Sequence, residues 1–348
     1  MLHDELADLE VRVDAMDLTR FERETSSGFT RATTVVSLHG EDAVGRGEDV
    51  TYDADAHDVF QAARTPDLTG TYTLDGFSNR LDELDLFFGD SPEQAIARNY
   101  RRWAFESAAL DLALRQADTS LAERLDRTYA PVRFVVSTRL DEPPTGDRVL
   151  DWLDRTPDLD FKLDPTAAWT DQTVERLAAT NAVCILDLKG MYEGTTVDQP
   201  ADPALYRRVI DGFPDALIED PALTEETRPL FSGHESRVTW DYPIRDVASI
   251  EALPWEPAWL NVKPSRFGTL QALFDTIDYC IDRDIRLFGG GQFELDVGRT
   301  HLHALASLFY PDAPNDVAPT GYNDPEPNAD LPTSPLTPPS NPRGLDWR

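Results

Sequence analysis

From Val132 onward, short apolar runs alternate with segments whose apolar positions recur every three or four residues. The runs VRFVVST, DFKLD, AVCILDLKG, ALIEDP, RVTWDYP, WLNVKP, IRLFGGG and NDVAP read as strands, each ending in polar or turn residues. Between them DRVLDWLDRT, TVERLAAT, PALYRRVIDGF, EETRPLFSG, VASIEAL, TLQALFDTIDYCIDR and GRTHLHALASLF read as helices. Eight β/α units over residues 131–318 predict a closed α/β barrel of the TIM type, slightly below the usual size. The alternation also allows an open doubly wound sheet, but no GxGxxG follows a first strand and FGGGQF comes far too late.

Residues 1–130 have a different texture. Residues 6–16 and 32–39 read as strands, and GEDAVGRGEDVTY reads as a Gly-rich hairpin with a returning strand. Helical periodicity takes over from 92 to 125, so an α+β capping domain is expected ahead of the barrel. Residues 319–348 are rich in proline and end in GLDWR, which predicts an extended segment packing back on the capping domain through an aromatic anchor.

The chain has 348 residues, 41% of them hydrophobic, and seven Trp, enough for a full core and a second, smaller domain. The formal net charge is -32 and no basic stretch exists, which argues against nucleic acid and anionic membrane as partners. Acidic residues are dispersed over the whole length, and of 32 Lys and Arg residues only Lys162, Lys189 and Lys263 are lysines. That combination predicts a salt-adapted, halophilic protein whose self-repulsion is screened at high ionic strength. Cys184 and Cys280 read as reduced core thiols, and the N-terminus has no basic, apolar leader, so a cytoplasmic location is expected.

The last polar residues of consecutive strands are Lys162, Asp187 with Lys189, Glu219, Asp241 and Lys263. The intervals are 25, 32, 22 and 22 residues (162 to 187, 187 to 219, 219 to 241, 241 to 263), each one β/α unit. In a barrel these ends form the mouth where active sites sit, so the three carboxylates converge and need a cation. Oxygen-only ligands suit Mg²⁺. Lys162 and Lys263, on strands two and six, would face each other across it, an arrangement suited to removing a proton next to a carboxylate. Any one of these residues alone is more simply a strand-end surface residue or a structural ion pair. All three lysines of a Lys-poor chain at strand ends is a much less ordinary coincidence.

These residues resemble the enolase superfamily, in its muconate-lactonising and mandelate-racemase-like branch, along nearly the whole chain. AVGRGEDV resembles the family's Gly-rich turn and WAFESAALDLALRQADTSLAERL its helix leading into the barrel. FKLD, ILDLKG, LIEDP, TWDYP, NVKPSRFGTL and GGGQFELDVGR follow in family order. The resemblance implies an enolase-like modified barrel, Asp187, Glu219 and Asp241 as Mg²⁺ ligands, and Lys162 and Lys263 as the acid/base pair. It also implies that loops near 21–29 and 49–52 help close over a small-molecule carboxylate substrate.

Three positions depart from the pattern. Asp160 stands where the family has the first Lys of Lys-x-Lys, and an Asp near enough would raise the pKa of Lys162. Lys189 replaces the Asn of Asp-x-Asn, and Asp241-Tyr242-Pro243 replaces Asp-Glu-Ser. Lys189 reads as a substrate-carboxylate contact, as a tuner of Lys162, as a tethered cation partly replacing the metal, or as a plain ion pair with Asp187. Arg266 and Glu294 are further candidates for substrate contact, whereas His301 and His303 face different directions on one helix and are not expected to be ligands.

The expected activity is abstraction of the α-proton of a carboxylate through an enediolate, leading to dehydration, cycloisomerisation or racemisation. NVKPSRFGTL leans toward an o-succinylbenzoate-synthase-like site. The alternative is a barrel that has lost catalysis and serves as a binding or structural protein. Enolase-like barrels often associate, so a homo-oligomer fits the same reading.

Overall fold

Leu2, Leu6 and Leu9 share a helical spacing, and the chain opens with a one-turn helix, α1 (Asp4–Ala7), that buries Leu6. The single strand expected over 6–16 is therefore divided. It becomes α1, the strand β1 (Glu10–Val13), and the start of β2 (Ala15–Glu24). In this computed structural model residues 1–348 are described apart from 64–65, 193, 196, 327–329, 346 and 348.

β2 pairs antiparallel with β3 (Thr30–His39), and β3 with β4 (Val44–Asp49). β3 is the central strand, and its sequence TRATTVVSLH is rich in the β-branched residues that fit a buried pleated surface. After α2 (Ala54–Ala62), β5 (Gly70–Thr73) pairs with β1, and α3 (Leu74–Asp82) follows, three elements the sequence pattern did not announce. The long helix α4 (Ala97–Gln116) lies on β4. Gly45 and Gly47 are two apart and so share a face, and a Cβ on either would collide with the backbone of Ala108 or Ala104. That close approach explains the glycines of AVGRGEDV. α5 (Leu121–Arg124) closes the region with a Ser120/Glu123 capping box.

Parallel strands then follow one another around a ring: β6 (Val135–Thr138), β7 (Asp160–Leu163), β8 (Val183–Asp187), β9 (Leu217–Glu219), β10 (Val238–Trp240), β11 (Trp259–Val262) and β12 (Arg286–Gly289). The intervening helices are α6 (Asp147–Arg155), α7 (Asp171–Ala178), α8 (Pro203–Gly212), α9 (Val247–Glu251), α10 (Pro264–Phe267) and α11 (Leu270–Asp282), with α12 (Val297–Phe309) after β12. EETRPLFSG, expected as an α-helix, forms a single 3₁₀ turn over Arg228–Phe231, because Pro229 has no N–H to give.

The eighth strand, expected at NDVAP, is reduced to two residues. Asn315 bridges to Phe134 and Asp316 to Gly290, closing the ring between β6 and β12. The Asn315 side chain does the work of a ladder. Its Oδ1 accepts from Gly289 N at 2.7 Å, and its Nδ2 donates to the carbonyls of Arg133, Tyr310 and Ala313.

The C-terminal segment crosses both regions. Leu336 exchanges backbone hydrogen bonds with Val132, and Tyr322 packs on Phe134 and Trp152. Gly344 bridges to Ser120, the buried Leu345 donates its N–H to Asp111, and the Trp347 ring meets Tyr129. Residues 327–329, 346 and 348 of this segment lie outside the described residues. Cys184 and Cys280 are free thiols. Among the described residues no helix is long and apolar enough to cross a membrane.

Candidate active site

Side chains alternate across a strand, so residues two apart share a face. On β7 this puts Asp160 and Lys162 on one face, and on β11 and just past it Asn261 and Lys263. Asp187 and Glu219 end adjacent strands as register partners, and Asp241 follows β10 directly. Asp187, Glu219 and Asp241 are wholly buried, and Lys162 and Lys263 nearly so.

Lys162 Nζ lies 2.5 Å from Glu219 Oε1, 3.2 Å from Asp187 Oδ2 and 3.4 Å from Asp316 Oδ2. Lys189 places its Nζ on Asp187 Oδ2, with Asp164 Oδ1 at 3.7 Å. On the other flank Lys263 Nζ is 2.8 Å from Asp241 Oδ2, the Tyr192 hydroxyl donates to the same oxygen at 2.8 Å, and Arg266 reaches it at 3.3 Å. Arg266 is a buried residue of α10 that also donates to the Asp241 carbonyl and stacks over Tyr242.

Asp220 is the hook that fixes Asp241. Its left-handed backbone, φ 47°, turns its carboxylate to accept the N–H groups of Asp241 and Tyr242 at 2.9 and 2.8 Å. Burial, with the charges of Asp241 and Asp187, pushes its carboxyl up to about 7. Glu219 is also driven well above the usual range by burial, which the Lys162 ammonium only partly offsets against Asp187, Asp241 and Asp220. For Asp187 burial works upward too, but Lys189 and Lys162 outweigh it and hold the carboxyl far down. Arg266 and Lys263 do the same for Asp241. Lys162 is held well above its ordinary value, because Glu219, Asp187 and Asp316 overcome the desolvation that would lower it.

Oxygens of Asp187, Glu219 and Asp220 come within 4.8 Å of one another, and this buried group could hold a metal ion. Asp241 Oδ1 is buried without a hydrogen-bond partner among the described residues, as is Asn261 Oδ1. An oxygen-only set with an orphaned carboxylate oxygen beside it suits Mg²⁺.

Seven of the eight residues singled out from the sequence meet here. The eighth, Glu294, is drawn elsewhere: it accepts from Gln292 N at 2.7 Å and lies 3.2 Å from Arg299 on α12. Asp160 also turns away from Lys162, accepting the Arg133 guanidinium at 2.5 and 3.0 Å. His303 donates to or accepts nothing in the cluster; its Nε2 pairs with the Val317 carbonyl. The structure adds Asp220, Tyr192, Asn261 and Asp316. Strand alternation from Lys263 points to Asn261, and Asp220 stands next to Glu219. Asp316 sits on the two-residue eighth strand expected at NDVAP, and Tyr192 is placed by loop geometry that no periodicity encodes.

The loops expected over the site touch the barrel beyond β12. Phe29 packs edge-on to Phe293 at 5.4 Å, and the Tyr52 hydroxyl donates to Gln292 Oε1 at 2.9 Å. Residues 21–24 of the first loop belong to β2.

Two models of one family match the chain: the Domain of unknown function (DUF8230) N-terminal domain over residues 4–124 and its C-terminal domain over 128–324. The protein belongs to the DUF8230 family. No curated protein matches this DUF8230 chain. Among solved structures it is similar to a dipeptide epimerase from Methylococcus capsulatus complexed with a Mg ion, with a TM-score of 0.68 and 15% identity over 97% of this chain and 99% of that one. It is similar to muconate lactonizing enzyme from Pseudomonas putida, with a TM-score of 0.65 and 17% identity over 88% of each chain. A member of the enolase superfamily from Listeria innocua gives 0.62 and 19%, over 92% and 85%. These likenesses show the fold: a capping region plus the modified barrel of the enolase superfamily.

Proposed function

We propose that this DUF8230 protein is a Mg²⁺-dependent enzyme that removes the α-proton of a small carboxylate substrate. The observation that carries the proposal is the flanking of three buried strand-end carboxylates, on β8, β9 and after β10, by Lys162 on β7 and Lys263 after β11. Asp187, Glu219 and Asp241 would hold the ion, with Asp220 fixing the position of Asp241. When bound, the ion neutralises the carboxylates and stabilises negative charge developing on the substrate's carboxylate.

The chain's own groups supply the rest. Lys162 is kept protonated by its carboxylate neighbours, so relief of that negative charge is what readies its amine to take a proton. Lys263, on the opposite flank, is positioned to return a proton or assist a leaving group. Lys189 and Arg266 supply positive charge for substrate anions, and the nearly complete burial of the cluster excludes water from the reacting atoms.

The overall reaction is a dehydration, cycloisomerisation or racemisation. An o-succinylbenzoate-synthase-like reaction is favoured by NVKPSRFGTL, and dipeptide epimerisation is disfavoured because only Asp316 follows Asn315 where an Asp-x-Asp would bind the substrate amine. The acidic, Lys-poor chain belongs in a salt-rich cytoplasm on this reading, so assays belong at high salt. Incubation in D₂O with Mg²⁺ and a panel of 2-substituted carboxylic acids tests it; deuterium should enter the α-position of at least one acid.

One feature favours a second reading, a non-catalytic barrel used for binding or structure. Each of the three carboxylates already has an internal cation: Lys189 on Asp187, Lys162 on Glu219, Lys263 on Asp241. Absence of deuterium uptake from every acid, together with no Mg²⁺ bound, selects this reading.

A further inference from the structure

Lys189 grips both oxygens of the carboxylate at the end of β8. Its backbone N–H donates to Asp187 Oδ1 at 3.2 Å while its ammonium sits on Oδ2, a return that its left-handed backbone, φ 53°, makes sterically feasible. Asp187 Oδ2 also has the Lys162 ammonium at 3.2 Å. One carboxylate oxygen is thus shared by two cations, and a divalent ion arriving on Asp187 would be a third.

The two lysines are not equally free to yield. Lys162 is 2% exposed and spans Glu219, Asp187 and Asp316, whereas Lys189 is 13% exposed. Lys189 has other places to rest: Asp164 Oδ1 at 3.7 Å, and the Tyr192 ring with its centroid 5.2 Å from Nζ. Like charges crowded onto one buried oxygen repel, and the less buried of the two, with other partners within reach, is the cheaper to move.

We infer that Lys189 is a displaceable counter-ion, neutralising Asp187 until a divalent cation takes that carboxylate and then offering its ammonium to the substrate's anionic group. The inference rests on the Mg²⁺ reading above and adds an order of events. The site is self-neutralised when empty, binds the ion weakly for that reason, and gains its anion anchor only once the ion is in place.

Mn²⁺ titrations of wild type, Lys189→Met and Lys189→Arg at high salt test it, followed by titration of the Mn²⁺-saturated proteins with succinate as a dicarboxylate probe. Lys189→Met is expected to bind Mn²⁺ at least about tenfold tighter and succinate at least about tenfold weaker, with Lys189→Arg close to wild type in both. That pair of opposite signs is the signature, since loss of a merely structural pair would not weaken succinate. Mn²⁺ affinity that is unchanged or weaker in Lys189→Met, or succinate binding that does not fall, overturns the inference while leaving the metal site standing. If no form binds Mn²⁺, the underlying metal reading fails with it. A second measurement needs no variant. With only three lysines, acylation mapped by mass spectrometry on wild type should show Lys189 more reactive with Mn²⁺ than without, and an unchanged rate counts against release.

Discussion

Two clusters of buried charge, one in the capping region and one at the barrel mouth, are alike in composition but differ in how fully their carboxylates are bonded. Asp49 is wholly buried and pairs with Arg101 at 2.8 Å, Thr51 N at 2.9 Å and Thr51 Oγ1 at 2.7 Å, with His57 at 3.9 Å. Arg101 also donates to the carbonyls of Leu86 and Ala56 and stacks over the rings of Phe60 and Phe87. At the barrel mouth, by contrast, Asp241 Oδ1, Asn261 Oδ1 and Arg266 Nε are buried with no hydrogen-bond partner among the described residues. Arg31 Nε beside the first cluster is also unpartnered among the described residues, so the contrast lies in the carboxylates: both oxygens of Asp49 are bonded, whereas Asp241 keeps one oxygen open to a ligand.

The comparison can be broken most forcefully at the Asp241 carboxylate and at the partner of Asp49. Asp241→Asn should cut α-proton exchange by at least about 10³-fold, because a proposed ligand and the partner of Lys263 are lost together. Arg101→Met should instead cost about 3–5 kcal/mol of stability by stranding Asp49, read by chemical denaturation at fixed high salt. Mg²⁺ should raise the melting temperature of Arg101→Met as much as that of wild type. Loss of that increment would mean the two clusters are coupled.

The pH dependence sharpens the contrast. Burial, against the pull of Asp49 and the Thr51 carbonyl, lowers the pKa of His57, which also faces Arg31, Arg101 and Thr34. The unfolded chain takes up a proton at His57 below about 6.5 while the folded chain resists it, so stability falls as pH drops through that value. The depressed carboxyl of Asp49 adds a second loss at lower pH, below its ordinary value near 3.8. His57→Gln should flatten the upper part of that slope in denaturation measured between about pH 5 and 7, and an unaltered slope would remove His57 from the account.

The smallest effect is expected at Asp160. Its position two residues before Lys162 suggests an influence on that lysine. The structure gives it instead to Arg133, just ahead of β6, and to Cys184 on β8. What raises Lys162 is the mouth itself: Glu219, Asp187 and Asp316. Asp160→Asn should therefore change stability by no more than about 1 kcal/mol and leave the pH profile of exchange unmoved.

Legibility in the sequence followed the periodicities. Strands β7 to β11 are readable because apolar runs end in chemistry-bearing residues at one-unit intervals, and Lys162, Lys189 and Lys263 stand out because the chain is so poor in lysine. The eighth strand is read in its right place, at NDVAP, but its reduction to two residues is not legible, since closure there depends on one Asn side chain and two bridges. Asp220 reads as a second acidic residue beside Glu219 until its left-handed backbone turns it onto the amides of Asp241 and Tyr242. Tyr192 reaches Asp241 across 49 residues of sequence from a loop, and Glu294 is captured by Arg299, neither of which spacing can foretell.

The most direct test of the central claim is Mn²⁺ binding, followed by electron paramagnetic resonance, to wild type, Asp187→Asn and Asp49→Asn at high salt. The account predicts one bound ion per chain in wild type and in folded Asp49→Asn, and its loss in Asp187→Asn. An ion that binds equally well to Asp187→Asn, or none in wild type, would contradict it.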